Sequence, residues 1–363
     1  MTSVLIVTWD GGGNLPPALG IGRELQARGV RVRVLGNAIQ RDAVVASGLD
    51  FIPFTRGRDY VSSEPRGTVD GVLGLVALFA DRGIAEDVRA LLAEQPADLV
   101  LVDTLLWGAM NQLEADGCRV VELVHSTAEY FDGNARGPVG MLARMRGANA
   151  VAAARGAEWR LVTTRADFES KPRPDELHTG FVWQGDPVEA RAESVPRVLV
   201  SFSTTVFPGQ AAALQRVLDA LAGERMEVVV TSGAVDPADL SAPTNATVLR
   251  RRDHSEILPT TSLVIGHGGH ATTARALSAG IPVLVIPMHP LMDQPGIGRA
   301  VERLGVGAVL PKSAAPARIR EAALRLLSDE RVRAAAQTMG AQARQRDGAA
   351  VAADALTREL AAT

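Results

Sequence analysis

Residues 262–273 read Ser-Leu-Val-Ile-Gly-His-Gly-Gly-His-Ala-Thr-Thr, and this stretch decides the fold. Ser262–Ile265 is a short, mainly apolar run, as expected of a parallel strand buried on both faces. Glycines at 266, 268 and 269 then turn the chain, and a helix is predicted over 270–279. The N–H groups of Gly268, Gly269 and the next turn have no partner within such a helix, so they favour an incoming anion. Thr272 and Thr273 add hydroxyl donors and His267 a ring donor. Two histidines this close can suggest a metal, but no carboxylate accompanies them. A diphosphate fits the stretch better.

Outward from this stretch, strands and helices alternate. Strands are predicted over Arg197–Phe202, Met226–Thr231, Thr247–Leu249, Ser262–Ile265 and Pro282–Ile286, with helices over 209–222, 293–303, 315–327 and 329–345. An earlier series shows the same alternation: strands Ser3–Trp9, Val30–Leu35, Asp50–Pro53, Asp98–Asp103 and Arg119–His125. Helices are predicted over 17–28, 70–95 and 105–117. This is the pattern of open, doubly wound parallel sheets. Between the two series, Trp183–Pro196 has two prolines, mixed charges and no apolar period, and reads as a linker. The expected organisation is a first domain over 1–183, a linker over 184–196, a second domain over 197–345 and a final helix over 346–363. Ligands of such sheets sit at the strands' C-terminal ends, which implies a cleft between two facing domains.

Composition narrows the classes. The 363 residues are 47% hydrophobic and 22% charged with a net charge of −3, near the soluble globular average and without the basic excess of a nucleic-acid binder. The single Cys118 rules out an internal disulfide and a cysteine metal cage. The longest apolar run, 71–80, is about half the ~20 residues a membrane span needs. No basic leader precedes the first strand, so a cytoplasmic protein is expected.

Two further motifs complete the set. Asp10–Pro17 (DGGGNLPP) is a glycine turn between first strand and first helix, with neither the dinucleotide fingerprint nor the Gly-Lys-Ser/Thr of a phosphate loop. Pro287–Gln294 (PMHPLMDQ) ends on a carboxylate and an amide, a pair able to grip vicinal hydroxyls. Asp293 can equally be a helix cap.

Together, His267, Gly268, Gly269, Ala271, Thr272, Ala276, Leu277, Gly280, Pro282, Asp293 and Gln294 resemble the donor-binding signature of the family 1 glycosyltransferases. These are the GT-B enzymes that decorate natural products, and the resemblance is greatest to their bacterial antibiotic-tailoring branch. Pro17, Leu19, Ile21, Leu25, Arg28 and Gly29 fit that family's first helix, and Val200–Ser203 its donor-domain opening. The resemblance implies an α/β GT-B fold with two Rossmann-like domains, an N-terminal acceptor-binding one over 1–183 and a donor-binding one over 197–345, with the final helix packing back on the first. It implies an inverting transferase that moves a sugar from a dTDP- or UDP-sugar to a small, largely apolar acceptor. Ser203, Thr204, His267 and the turn Gly268, Gly269, Thr272, Thr273 would hold the diphosphate. Asp293 and Gln294 would hold the sugar, and the segment with Arg252 would lie along the base. Gly12, Gly13, Trp107, Phe131 and Met141 would meet the acceptor, in a pocket of irregular loops over 54–64 and 130–146. Most of these aromatic residues can equally be core. No cofactor and no obligatory metal is implied, and no Asp-x-Asp pair is present. No nucleic-acid partner is expected, and the protein should be a monomer or homodimer.

The chain departs from the family pattern where the reaction would start. The family's catalytic His, three residues before the helix-opening proline, falls on Asn14, and an amide cannot take a proton. The family's Glu at the donor helix is Arg275, and the Gly of Ser-Phe-Gly is Ser203. Asp103, His125 and Glu129 are the candidate proton acceptors, with Asn14 as a positioning group. Asp103 can alternatively cap a helix, and His125 can be structural. A non-catalytic nucleotide-sugar-binding helper, or an epimerase of the same fold, are the competing readings.

Overall fold

The computed structural model describes residues 2–64, 67–183, 188–191 and 193–361. Its contacts divide into two units, 1–184 with 347–363, and 185–346.

The first unit runs β1 (Ser3–Val7), α1 (Leu15–Ala27), β2 (Arg31–Gly36), α2 (Arg41–Ala46), β3 (Asp50–Pro53), α3 (Thr68–Phe79), α4 (Gly83–Glu94), β4 (Leu99–Asp103), α5 (Trp107–Ala115), β5 (Val120–Val124), α6 (Ala128–Arg136), α7 (Pro138–Met145), α8 (Ala150–Gly156), β6 (Trp159–Val162) and β7 (Glu176–His178). The strands form one parallel sheet in the order β3-β2-β1-β4-β5-β6-β7. Every residue of β1, β4 and β5 is buried, because helices cover both faces. Strand order reverses between β1 and β4, which pair with Val7 opposite Val102. The loops leaving their C-terminal ends diverge to opposite sides and open a crevice, the usual ligand position in such sheets.

The second unit runs β8 (Arg197–Ser201), α9 (Gln210–Leu221), β9 (Glu227–Thr231), β10 (Ala246–Leu249), α10 (His254–Ile257), β11 (Leu263–Gly266), α11 (His270–Ser278), β12 (Val283–Val285), α12 (Gln294–Arg303), β13 (Gly307–Val309), α13 (Pro316–Ser328) and α14 (Glu330–Gln345). Its parallel sheet has the order β10-β9-β8-β11-β12-β13, and its reversal falls between β8 and β11. The chain ends in α15 (Gly348–Ala361), whose Ala349, Ala352, Ala353 and Leu356 share a buried cluster with Ala18, Ile21 and Leu25 of α1.

Three local expectations need correction. The helix predicted over 70–95 is two, because Asp81 breaks it and binds the first N–H of α4 (Gly83 N to Oδ1, 2.8 Å). The stretch 130–146 is not irregular: it belongs to α6 and α7, and Pro138 opens the latter. The predicted linker is not a free connection over its described part, since Ala190 and Arg191 donate backbone hydrogen bonds to Ala279 and Pro259. Residues 184–187 and 192 of that segment lie outside the described residues. Among the described residues, no helix is long and apolar enough to cross a membrane.

Candidate active site

The reversal point of the first sheet gathers Asn14, Asp103 and His125. Asn14 follows β1, Asp103 ends β4 and His125 follows β5, so three neighbouring strand ends supply one group each. Asp103 is fully buried. Its Oδ1 accepts from the Trp9 indole (3.0 Å) and from Leu105 N (3.1 Å). Its Oδ2 accepts from Asn14 Nδ2 at 3.0 Å and lies 3.0 Å from His125 Nδ1. That last approach is close but poorly aligned, so it is an electrostatic contact short of a well-formed hydrogen bond. Burial by itself pushes the Asp103 carboxyl up. The electrostatic contact with His125 and the donors from Asn14 and Leu105 outweigh it and hold the group below the usual carboxylate range.

Asn14 is 1% exposed and completely engaged. Its oxygen accepts from Gly11 N, and its Nδ2 also donates to Trp9 O (3.0 Å) and Thr8 Oγ1 (3.2 Å). Gly12 and Gly13 form the exposed tip of the same turn, and a Cβ on Gly13 would meet nothing within 4 Å. The His125 ring is 14% exposed and stands edge-on to Phe131, with centroids 4.8 Å apart.

The remaining first-unit candidates separate. Glu129 is exposed, and its carboxylate accepts from Ser170 N at 3.0 Å. Trp107 is buried in the core against Phe79. Met141 is 63% exposed on α7. Asp10 is spent on Ser62, whose N–H and hydroxyl both donate to Oδ2 (2.8 and 3.0 Å). The loop before it is tied down by Asp87 of α4, which accepts from the N–H groups of Thr55, Arg56 and Gly57. Asp87 and the buried Glu122–Arg160 pair (2.7 Å) escaped the sequence reading. A charged residue in a buried strand was the available signal.

In the second unit, Ser201 at the end of β8 pairs with Gly266 at the end of β11, which brings the loop with Ser203 and Thr204 beside the turn with His267. Ser203 Oγ accepts from Thr205 N at 2.9 Å, which leaves its proton available for donation; Thr204 is exposed. Gly268 has φ +83, and a Cβ there would lie 2.6 Å from Val285 Cγ1, so only glycine suits it. Gly269 is the N-cap of α11, and a Cβ there would lie 2.5 Å from His267 Nε2. The first intrahelical bond runs from Thr273 N to Gly269 O, so the preceding N–H groups face the turn's mouth. Burial pushes His267 down to about 4 against a weaker, opposing hydrogen bond with the Ser201 backbone, so its ring is neutral. Thr272 is half-buried and Thr273 buried.

Asp293 takes the N-cap position of α12, but its side chain makes no capping bond. Gln294 is 3% exposed, and its oxygen accepts from Met288 N (2.7 Å) and His289 N (3.1 Å). It can therefore offer a ligand only its NH2 end, a narrower role than a paired grip on hydroxyls. Arg252 is exposed and paired with Glu256 at 2.8 Å. Arg275 lies 3.5 Å from Asp253, so the substituted position meets a carboxylate.

Two Rossmann-like parallel sheets, each with a polar turn at its reversal point, define the GT-B class of architecture. The comparisons with known proteins agree. Residues 215–356 match the family model "Erythromycin biosynthesis protein CIII-like, C-terminal domain". An NDP-glycosyltransferase of Bacillus licheniformis is 31% identical over 169 residues, which is 46% of this chain and 42% of that protein. The match thus spans less than half the length of that curated relative. The crystal structure of CalG4, the calicheamicin glycosyltransferase, superposes with TM-score 0.77 at 22% identity over 99% of this chain and 98% of that one. The glycosyltransferase VinC in complex with dTDP superposes with TM-score 0.76 at 18% identity over 100% of both chains. At such identities the structural likeness speaks to the fold. The resemblance to the family 1 natural-product glycosyltransferases is borne out by the domain match and the architecture together.

Proposed function

We propose that this protein transfers a sugar from a nucleoside diphosphate to a small, largely apolar hydroxylated acceptor, with inversion and without a resident metal. The observation that carries this reading is the turn His267–Thr273, where a neutral ring, two glycines and the open N-terminus of α11 converge. These groups suit a leaving diphosphate, whose charge grows as the glycosidic bond breaks. The dTDP in the VinC complex and the family match over 215–356 support a nucleoside diphosphate as the donor's handle. Ser203, Thr204, Thr272 and Thr273 would add donors to the phosphates, while Asp293 and the Gln294 NH2 would hold the sugar. The acceptor would lie by Gly12, Gly13, Phe131 and Met141 on the first unit.

The test is a thermal-shift panel of nucleoside diphosphates, followed by turnover with dTDP- and UDP-sugars in chelator. A native-state ligand at 100-fold its Kd stabilises by about 2.7 kcal/mol, so the preferred base should stand out. A glycoside of opposite anomeric configuration is the expected product. No shift with any diphosphate overturns the donor reading. A shift without turnover would favour a helper that binds donor only, the reading that Asn14 at the family's His position motivates.

A further inference from the structure

Resting on that reading of the chain as a transferase, we propose that the acceptor's proton is taken by His125 Nε2, with Asp103 orienting the ring and Asn14 fixing Asp103. The base then works from the end of β5 and not from the turn after β1.

Elimination and geometry both lead there. Asn14 has no basic atom, and its amide is consumed by Gly11, Thr8, Trp9 and Asp103. Asp103 is sealed from solvent with both oxygens engaged, so it cannot touch a substrate. Glu129 is committed to Ser170 and Asp10 to Ser62. Among these groups, His125 alone combines a basic atom, an open edge and contact with Asp103. Its Nδ1 is buried toward Asp103, so the exposed part of the ring carries Nε2. A carboxylate at Nδ1 keeps the proton there, aims the Nε2 lone pair outward and stabilises the imidazolium once it forms. Phe131 packs edge-on to the ring and limits its rotation.

The step balances. The acceptor oxygen forms a bond to the anomeric carbon as the bond from that carbon to the diphosphate oxygen breaks. The electron pair leaves with the nucleoside diphosphate. The hydroxyl proton passes to His125 Nε2 and then to water. Asp103 and Asn14 are positioning residues, since neither touches the reacting atoms.

The test compares wild type with His125→Ala and His125→Asn, at saturating donor, with a nucleoside diphosphate thermal shift confirming an intact donor site. The expected result is a loss of about 10²–10⁴-fold in kcat, partial recovery with added imidazole, and a smaller loss for more acidic phenolic acceptors. Rates within fivefold of wild type for either variant overturn the proposal. So does an equal loss for all acceptors that imidazole leaves unchanged, which is the behaviour of a merely structural histidine. Absence of wild-type turnover with every acceptor would instead count against the transferase reading itself.

Discussion

The Asn14 amide donates to the Asp103 carboxylate at 3.0 Å across 89 residues of sequence, and both groups are buried. Asn14 thus ties the turn after β1 to the end of β4. Replacing it with alanine removes a donor from a buried carboxylate, while the half-buried Gly11 N keeps its bond to Trp9 O. Hydrogen bonds to charged groups contribute roughly 1.5–3 kcal/mol. Asn14→Ala should therefore lose about 2 kcal/mol in urea unfolding. Asn14→Asp should lose more at neutral pH than near pH 4, because two carboxylates would then share one site. A loss under 1 kcal/mol for both variants would show that the turn holds without this bond.

Acid should weaken the second unit before it discharges the carboxylates. His254 is pushed down to about 4, by burial first and the Arg275 charge second, and His267 to about 4 by burial. Both have folded values below the unfolded value of about 6.5. Between those values the unfolded chain binds protons that the native chain refuses, so stability falls as pH drops from about 6.5 to about 4 and then levels. Each group can contribute up to about 3 kcal/mol to that fall. Unfolding free energy measured against pH should show this slope, and His254→Asn should flatten it. An unchanged slope in His254→Asn and in His267→Asn would contradict the burial of both rings.

The strands were legible where a sheet is covered on both faces. Runs such as Leu99–Asp103 and Val120–Val124 have few other readings. β6 was missed because Arg160 interrupts it, and its partner Glu122 lies in a different strand. A buried ion pair cancels in space, whereas hydropathy is read along the chain. The donor turn was legible because its glycines are forced by local geometry: Gly268 by its positive φ, Gly269 by the neighbouring His267 ring. The meeting of Asp103 with His125 was not. It depends on β4 and β5 being neighbours in the sheet, which no local pattern encodes.

Gly269→Ala separates binding from folding. The backbone at Gly269 (φ −63, ψ 134) is open to any residue, so no strain arises there. The new Cβ would instead stand 2.5 Å from His267 Nε2 and displace the ring. The variant should unfold within about 1 kcal/mol of wild type, yet its nucleoside diphosphate shift should be mostly lost. Gly13→Ala is the control, since its Cβ meets nothing and donor binding should be unchanged. Equal nucleotide shifts in the two variants would remove His267 from the donor site.

Gln294 offers the sharpest division between holding a loop and holding a sugar. Its oxygen binds the N–H groups of Met288 and His289, while its NH2 is the part left to a ligand. Gln294→Ala strips both loop N–H groups of their buried acceptor, which should cost about 2–4 kcal/mol and weaken donor binding through loop disorder. Gln294→Glu keeps an acceptor for both N–H groups but exchanges the donor for a buried negative charge, so it should cost stability at neutral pH and less near pH 5. For this variant the nucleotide-sugar KM should rise at least tenfold, more than the affinity for free nucleoside diphosphate falls. A tenfold rise corresponds to about 1.4 kcal/mol, the size of one hydrogen bond. If Gln294→Glu binds nucleotide sugar as tightly as wild type, Gln294 serves the loop alone and the sugar is held elsewhere.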